Sequence, residues 1–166
     1  KEQTERFDLA MLVSGCVDGY QSIHKNYRII YETPSQAVPI DGSPDHIAQM
    51  LDKLVDNARD FTPAQGNIEV RLTQNARQLE LSVFNEGSSL PENLASDIFS
   101  PFVSVRTGQQ EGHLGQGLLI VRLIAEHHNG QVMASNDLGG VRFSVMLPSR
   151  PRPGTAQRSR RSSRPH

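Results

Sequence analysis

Three short stretches of this 166-residue chain hold side chains whose types and spacing could do chemistry. In LDKLVDNARDFTP (51–63), Asn57 sits at the edge of an apolar helical stripe, with Lys53 one turn before it and Asp60 about one turn after. An amide there can point along a helix–sheet boundary toward a ligand. In VFNEGSSLP (83–91) a strand ends, Asn85 follows, and Gly87 lets the backbone turn or approach a ligand closely. In HLGQGLL (113–119), Gly115 and Gly117 run into an apolar helix, whose first N–H groups and positive end suit a phosphate. The glycine spacing matches neither a Rossmann fingerprint nor a P-loop. Taken singly, each stretch also reads as something ordinary: a rim asparagine, a strand exit, a turn.

The elements that must position these residues follow from periodicity. Apolar positions Phe7, Leu9, Leu12, Val13 and Val17 predict a helix from Glu2 to about Lys25, followed by a strand at YRIIYE (27–32). PSQAVPIDGSP reads as a loop with at most a short edge strand, because prolines interrupt it. Ser43 can cap the next helix and Pro44 fits its first turn. Ile47, Met50, Leu51, Leu54, Val55 and Ala58 then keep the i, i+3, i+4, i+7 pattern as far as FTPAQG (61–66). Ile68, Val70, Leu72 and Leu79, Leu81, Val83 alternate as an antiparallel hairpin. The stretch from Asn85 to Gly117 has little periodicity, which in a domain this size points to function or disorder. A buried helix from about Gly117 to His128 and two strands, QVMASN and VRFSVML, joined at DLGG, complete the order.

Composition narrows the classes. Up to Ser149 the chain carries 11 basic against 18 acidic groups, a net of -7, which argues against a nucleic-acid-binding body. Six arginines, at 150, 152, 158, 160, 161 and 164, lie in a tail without acids or large apolar residues, so residues 1–148 read as the domain and 149–166 as a basic, disordered extension. A lone cysteine, Cys16, reads as a buried structural thiol in an intracellular domain. No apolar run reaches membrane-spanning length, and the absence of an initial methionine suggests a piece of a longer protein.

Order lifts the three weak motifs. LDKLVDNARDFTP, VFNEGSSLP, IFSPFVSV, HLGQGLLIVRLIAEHHNG and GGVRFSVMLP together resemble the N, G1, F, G2 and G3 boxes of the ATP-binding domain of two-component sensor histidine kinases, over about residues 5–148. In NEGSSLP, PFVSVR and HLGQGLLIVRLIAEHH the chain looks most like the kinase paired with the dedicated sortase system of proteobacteria. The resemblance implies a Bergerat-type α/β (α+β) two-layer sandwich, with helices on one face of a mixed, mainly antiparallel sheet and a mobile lid. It implies ATP and Mg²⁺ as ligands.

Box by box, it places Asn57 on the metal, Phe61 beside the adenine, Asn85 against the adenine amino group and Gly87 at the following turn. Gly115 and Gly117 face the phosphates, with Leu118 after them, and Arg106 in the lid is either a phosphate clamp or a solvated loop arginine. Four positions depart from the family pattern, one of them Ser89, which stands where another glycine is common. Lys53 stands where the first of two asparagines is common, Asp60 lies near the place of a lysine, and Asn85 stands where an aspartate is usual.

None of the six histidines is followed by an acidic residue as a phosphoacceptor would be, so this segment is expected to bind ATP without phosphorylating itself. The implied partners are an upstream dimerisation and phosphoacceptor domain and a response regulator. Nucleic acid is not among them, and membrane contact would come only through upstream sequence, making this the cytoplasmic domain of an inner-membrane sensor. Two other readings stay open: a degenerate nucleotide-binding regulatory module, and a serine kinase of the anti-sigma type.

Overall fold

The computed structural model describes residues 4–87, 89–91 and 113–149, with the side chains of 113–116 left aside. Their order is β1 (Glu5–Asp8), α1 (Leu9–Ile23), β2 (Arg28–Glu32), β3 (Pro39–Gly42), α2 (Pro44–Phe61), β4 (Asn67–Gln74), β5 (Gln78–Glu86), α3 (His113–His127), β6 (Gln131–Asp137) and β7 (Gly140–Pro148). Five strands form the main sheet in the order β2-β4-β5-β7-β6, parallel between β2 and β4 and antiparallel elsewhere. Helices cover one face, as the α/β sandwich reading requires.

Alternation decides which strand residues meet the helices. Ile68, Val70 and Leu72 of β4, Leu79, Leu81 and Val83 of β5, and Val141, Phe143, Val145 and Leu147 of β7 are all buried. Against them pack Leu9, Val13 and Val17 of α1, Ile47, Met50, Leu51 and Leu54 of α2, and Leu118 and Val121 of α3. The opposite face is a polar ladder: Arg142 reaches Asp137 and the Ser82 hydroxyl, Arg71 reaches Glu32 and Glu69, and Ser144 donates to Glu80.

The first segment departs from the expected continuous helix. Residues 5–8 form β1, paired antiparallel with β3 so that Phe7 lies opposite Ile40. Asp8 then caps α1, its carboxylate accepting from the N–H groups of Ala10 and Val38. Phe7 and Leu9 suit either period, and the choice belongs to a partner strand more than thirty residues away. Cys16 is half-buried rather than buried: it faces the α1–α2 seam, where burial and the Asp52 carboxylate raise its thiol pKa. Beside it the Tyr20 hydroxyl donates to Asp52, which ties α1 to α2.

α2 and α3 run antiparallel. The Ser43 N–H donates to Nε2 of buried His128 at 3.1 Å, and the same ring lies 2.7 Å from the Ile124 carbonyl through Nδ1. Because Nε2 accepts from an N–H, Nδ1 carries the proton and donates to Ile124. The start of α2 is thereby locked to the end of α3. Toward the other end, a side chain on Gly117 of α3 would point at the Lys53 methylenes, 4.0 Å away.

Candidate functional site

The site is assembled where the second half of α2 meets the beginning of α3 and the end of β5. α2 forms because Ser43 accepts from the His46 N–H, Pro44 and Asp45 suit a first turn, and Arg59 suits the last. Its buried stripe includes one amide: Asn57 is 7% exposed, deeper than the edge position the helical wheel gives it. Neither Oδ1 nor Nδ2 of Asn57 has a hydrogen-bond partner among the described residues.

β5 repeats the pattern. Its helix-facing positions run Leu79, Leu81, Val83 and then Asn85, which is 1% exposed. In the sheet register Asn85 lies between Ile68 of β4 and Val141 of β7, so the amide has two apolar neighbours, with Asn136 of β6 one strand further along the row. Both of its polar atoms lack a partner among the described residues. A buried unpaired amide costs about 1–3 kcal/mol, and a fold carrying two in one region gives up stability that a ligand can restore.

Gly87 closes this end. Its φ is +149° and a Cβ there would stand 2.6 Å from the Phe61 carbonyl oxygen and 3.8 Å from Nδ2 of Asn85. Its N–H donates to the Gly139 carbonyl in the β6–β7 turn. Phe61, the half-buried last residue of α2, is thus brought together with Asn85 and Gly87. Two supports were not singled out in the sequence. A Cβ on Gly140 would come within 1.9 Å of the Asn85 carbonyl oxygen, so only glycine lets β7 approach there. Asn136 of β6 accepts from the Leu90 N–H and donates to the Leu90 carbonyl, both at 2.8 Å, fixing the chain beyond Gly87. The glycine doublet at 139–140 was a signal for the first; nothing local marked the second.

Along α2, Lys53, Asn57 and Phe61 stand at i, i+4 and i+8, so one broad face carries them over about 12 Å of helix. One end meets Gly117, the other meets Asn85 and Gly87.

α3 begins at His113, four residues before its expected start, so Gly115 falls in its first turn and Gly117 in its second. The Gly115 N–H is among the donors without an intrahelical acceptor, while that of Gly117 is inside the helix. Leu118 is fully buried, and its side chain belongs to the core. Arg106, the IFSPFVSV patch and the rest of the expected lid from 92 to 112 lie outside the described residues, as does the tail from 150. No group of three or more His, Cys, Asp or Glu side chains suited to a metal occurs among the described residues.

The profile of the histidine kinase-, DNA gyrase B- and HSP90-like ATPases matches residues 42–151. The chain belongs to this family. Among curated relatives, the adaptive-response sensory kinase SasA of Synechococcus elongatus is 31% identical over 75% of the chain and 33% of its own length. The sensor protein kinase WalK of Staphylococcus haemolyticus is 26% identical over 87% of the chain and 24% of its own length. The chain therefore spans a third or less of these relatives. Among solved structures, the nucleotide-free catalytic domain of the histidine kinase ThkA superposes with a TM-score of 0.77 at 28% identity, covering 90% of the chain and 99% of that domain. The chain is an ATP-binding catalytic domain of the sensor histidine kinase type, a mixed sandwich of helices on a mainly antiparallel sheet. The relatives SasA and WalK are sensor kinases rather than regulatory modules or serine kinases.

Proposed function

We propose that the chain binds Mg-ATP along α2 and positions the γ-phosphoryl group for transfer to a histidine on an upstream helical hairpin of the same protein. The observation that carries this reading is the pair of buried amides at Asn57 and Asn85, on two elements of one site, with no hydrogen-bond partner among the described residues. The base lies at the Phe61, Asn85 and Gly87 end, and the phosphates lie toward Lys53, Gly115 and Gly117, with the Arg106 guanidinium as a clamp. Leu118 contributes by anchoring α3 in the core.

The donor set fits Mg²⁺. This cation keeps waters and phosphate oxygens and needs few protein ligands, so the one amide oxygen of Asn57 suffices where no carboxylate cage exists among the described residues. When bound, the cation supplies charge neutralisation across the triphosphate. The chain itself orients the nucleotide, keeps water from the base and aims the helix start at the phosphates. The nucleophile is assigned to the upstream hairpin, because no histidine of this chain is followed by the acidic residue that commonly accompanies a phosphoacceptor, and His128 is held through both ring nitrogens.

A response regulator is the receiver we assign downstream, supported by the crystal structure of ThkA in complex with the response regulator TrrA, 27% identical over 89% of the chain. No helix of the described residues is long and apolar enough to cross a membrane.

Titration calorimetry with Mg²⁺ and a non-hydrolysable ATP analogue tests the binding step. Heat of binding that is lost in Asn57→Ala supports it; no heat, or equal heat in the variant, contradicts it. Supplying the upstream hairpin with radiolabelled ATP tests the transfer: label on a histidine is expected, and none would favour a regulatory module.

A further inference from the structure

The feature that departs furthest from an aspartate-based site is the Asn85 amide. An amide offers an acceptor and a donor side by side, whereas a carboxylate offers only acceptors. A 6-aminopurine presents an amino donor beside the N1 acceptor; a 6-oxopurine presents the O6 acceptor beside an N1–H donor. The two edges are mirror patterns, and an amide meets either one with both atoms after a half-turn about its terminal torsion.

Whether it can turn depends on its neighbours. Oδ1 and Nδ2 of Asn85 have no hydrogen-bond partner among the described residues, and the flanking positions in the sheet row are Ile68 and Val141. Neither flanking side chain carries a polar group that would favour one orientation. The backbone is held on both sides by β4 and β7, so the amide is fixed in place but not in sense.

We infer that the buried, unpaired Asn85 amide at the end of β5 reads 6-amino and 6-oxo purine nucleotides alike, making inosine and guanosine triphosphates ligands of this site alongside ATP. The inference rests on the nucleotide-binding reading above. A carboxylate in the same row would lose this tolerance, because it would meet O6 with like partial charge and no donor.

Displacement of a fluorescent ribose-labelled ATP analogue from the chain, at fixed Mg²⁺, by ATP, ITP and GTP tests it. ITP within about tenfold of ATP is expected, a difference of no more than 1.4 kcal/mol. ITP weaker than that overturns the inference while ATP binding still stands. GTP weak with ITP competitive upholds it and assigns the loss to the 2-amino group. No displacement by ATP itself removes both this inference and the site beneath it. Asn85→Asp is expected to widen the ATP-to-ITP ratio at least tenfold; an unchanged ratio in a folded variant counts against the role of the amide. If that variant does not fold, the wild-type ITP measurement decides alone.

Discussion

Replacing Asn85 by leucine is expected to stabilise the nucleotide-free chain while abolishing nucleotide binding. The position continues the buried stripe of Leu79, Leu81 and Val83, at 1% exposure, between Ile68 and Val141. The wild-type amide is desolvated there with neither polar atom paired among the described residues. Removing an unpaired buried polar group and filling the space with methyls should return about 1–3 kcal/mol. For a domain of this size that raises Tm by roughly 2–4 °C per kcal/mol. Thermal melts followed by circular dichroism, with and without Mg²⁺ and a non-hydrolysable ATP analogue, give both halves. The wild type should gain Tm with nucleotide and the variant should not, although it starts higher. A variant that melts below the wild type without nucleotide would refute the reasoning, since it would mean the amide is already satisfied in the folded chain. Sites that sacrifice stability for function show this exchange.

Other substitutions test the geometry. Gly140→Ala should destabilise strongly, because its Cβ would stand 1.9 Å from the Asn85 carbonyl oxygen, whereas Gly15→Ala on α1, with nothing within 4 Å, should stabilise by about 0.5–1 kcal/mol; urea unfolding of both checks the pair. Cys16 should react with a thiol reagent at pH 8 more slowly than a free cysteine, and Asp52→Asn should speed it, because burial and then the Asp52 charge raise the thiol pKa. His24 has its pKa lowered by burial and then by Arg59. The unfolded chain therefore binds the proton more readily, so this residue's share of stability is present above pH 6.5 and is lost as pH falls below it. His24→Gln should flatten that part of a stability-against-pH curve.

Elements whose signal is local were legible in the sequence. α2 carries its cap, its first-turn proline and its stripe within eighteen residues, and the β4–β5 hairpin alternates without interruption. β1 was not legible, because its identity depends on pairing with β3 across the whole of α1 and β2. The candidate amides could be found by type and order, but their depth could not. Asn57 looked like a rim residue because α2 alone does not reveal how deeply the packed domain buries it. Asn85 looked like a strand exit because β5 had no visible reason to continue to Glu86. Asn136 and Gly140 act through contacts between strands that are neighbours only in the folded sheet.

The side-chain NH₂ resonances of Asn57 and Asn85 in a ¹⁵N–¹H correlation spectrum, followed through a titration with Mg²⁺ and a non-hydrolysable ATP analogue, test the central claim most directly. Both amide pairs should shift along one saturable curve, since both are buried, lack a partner among the described residues and are assigned to the same nucleotide. Saturation with both pairs unmoved would contradict the account and place the nucleotide elsewhere.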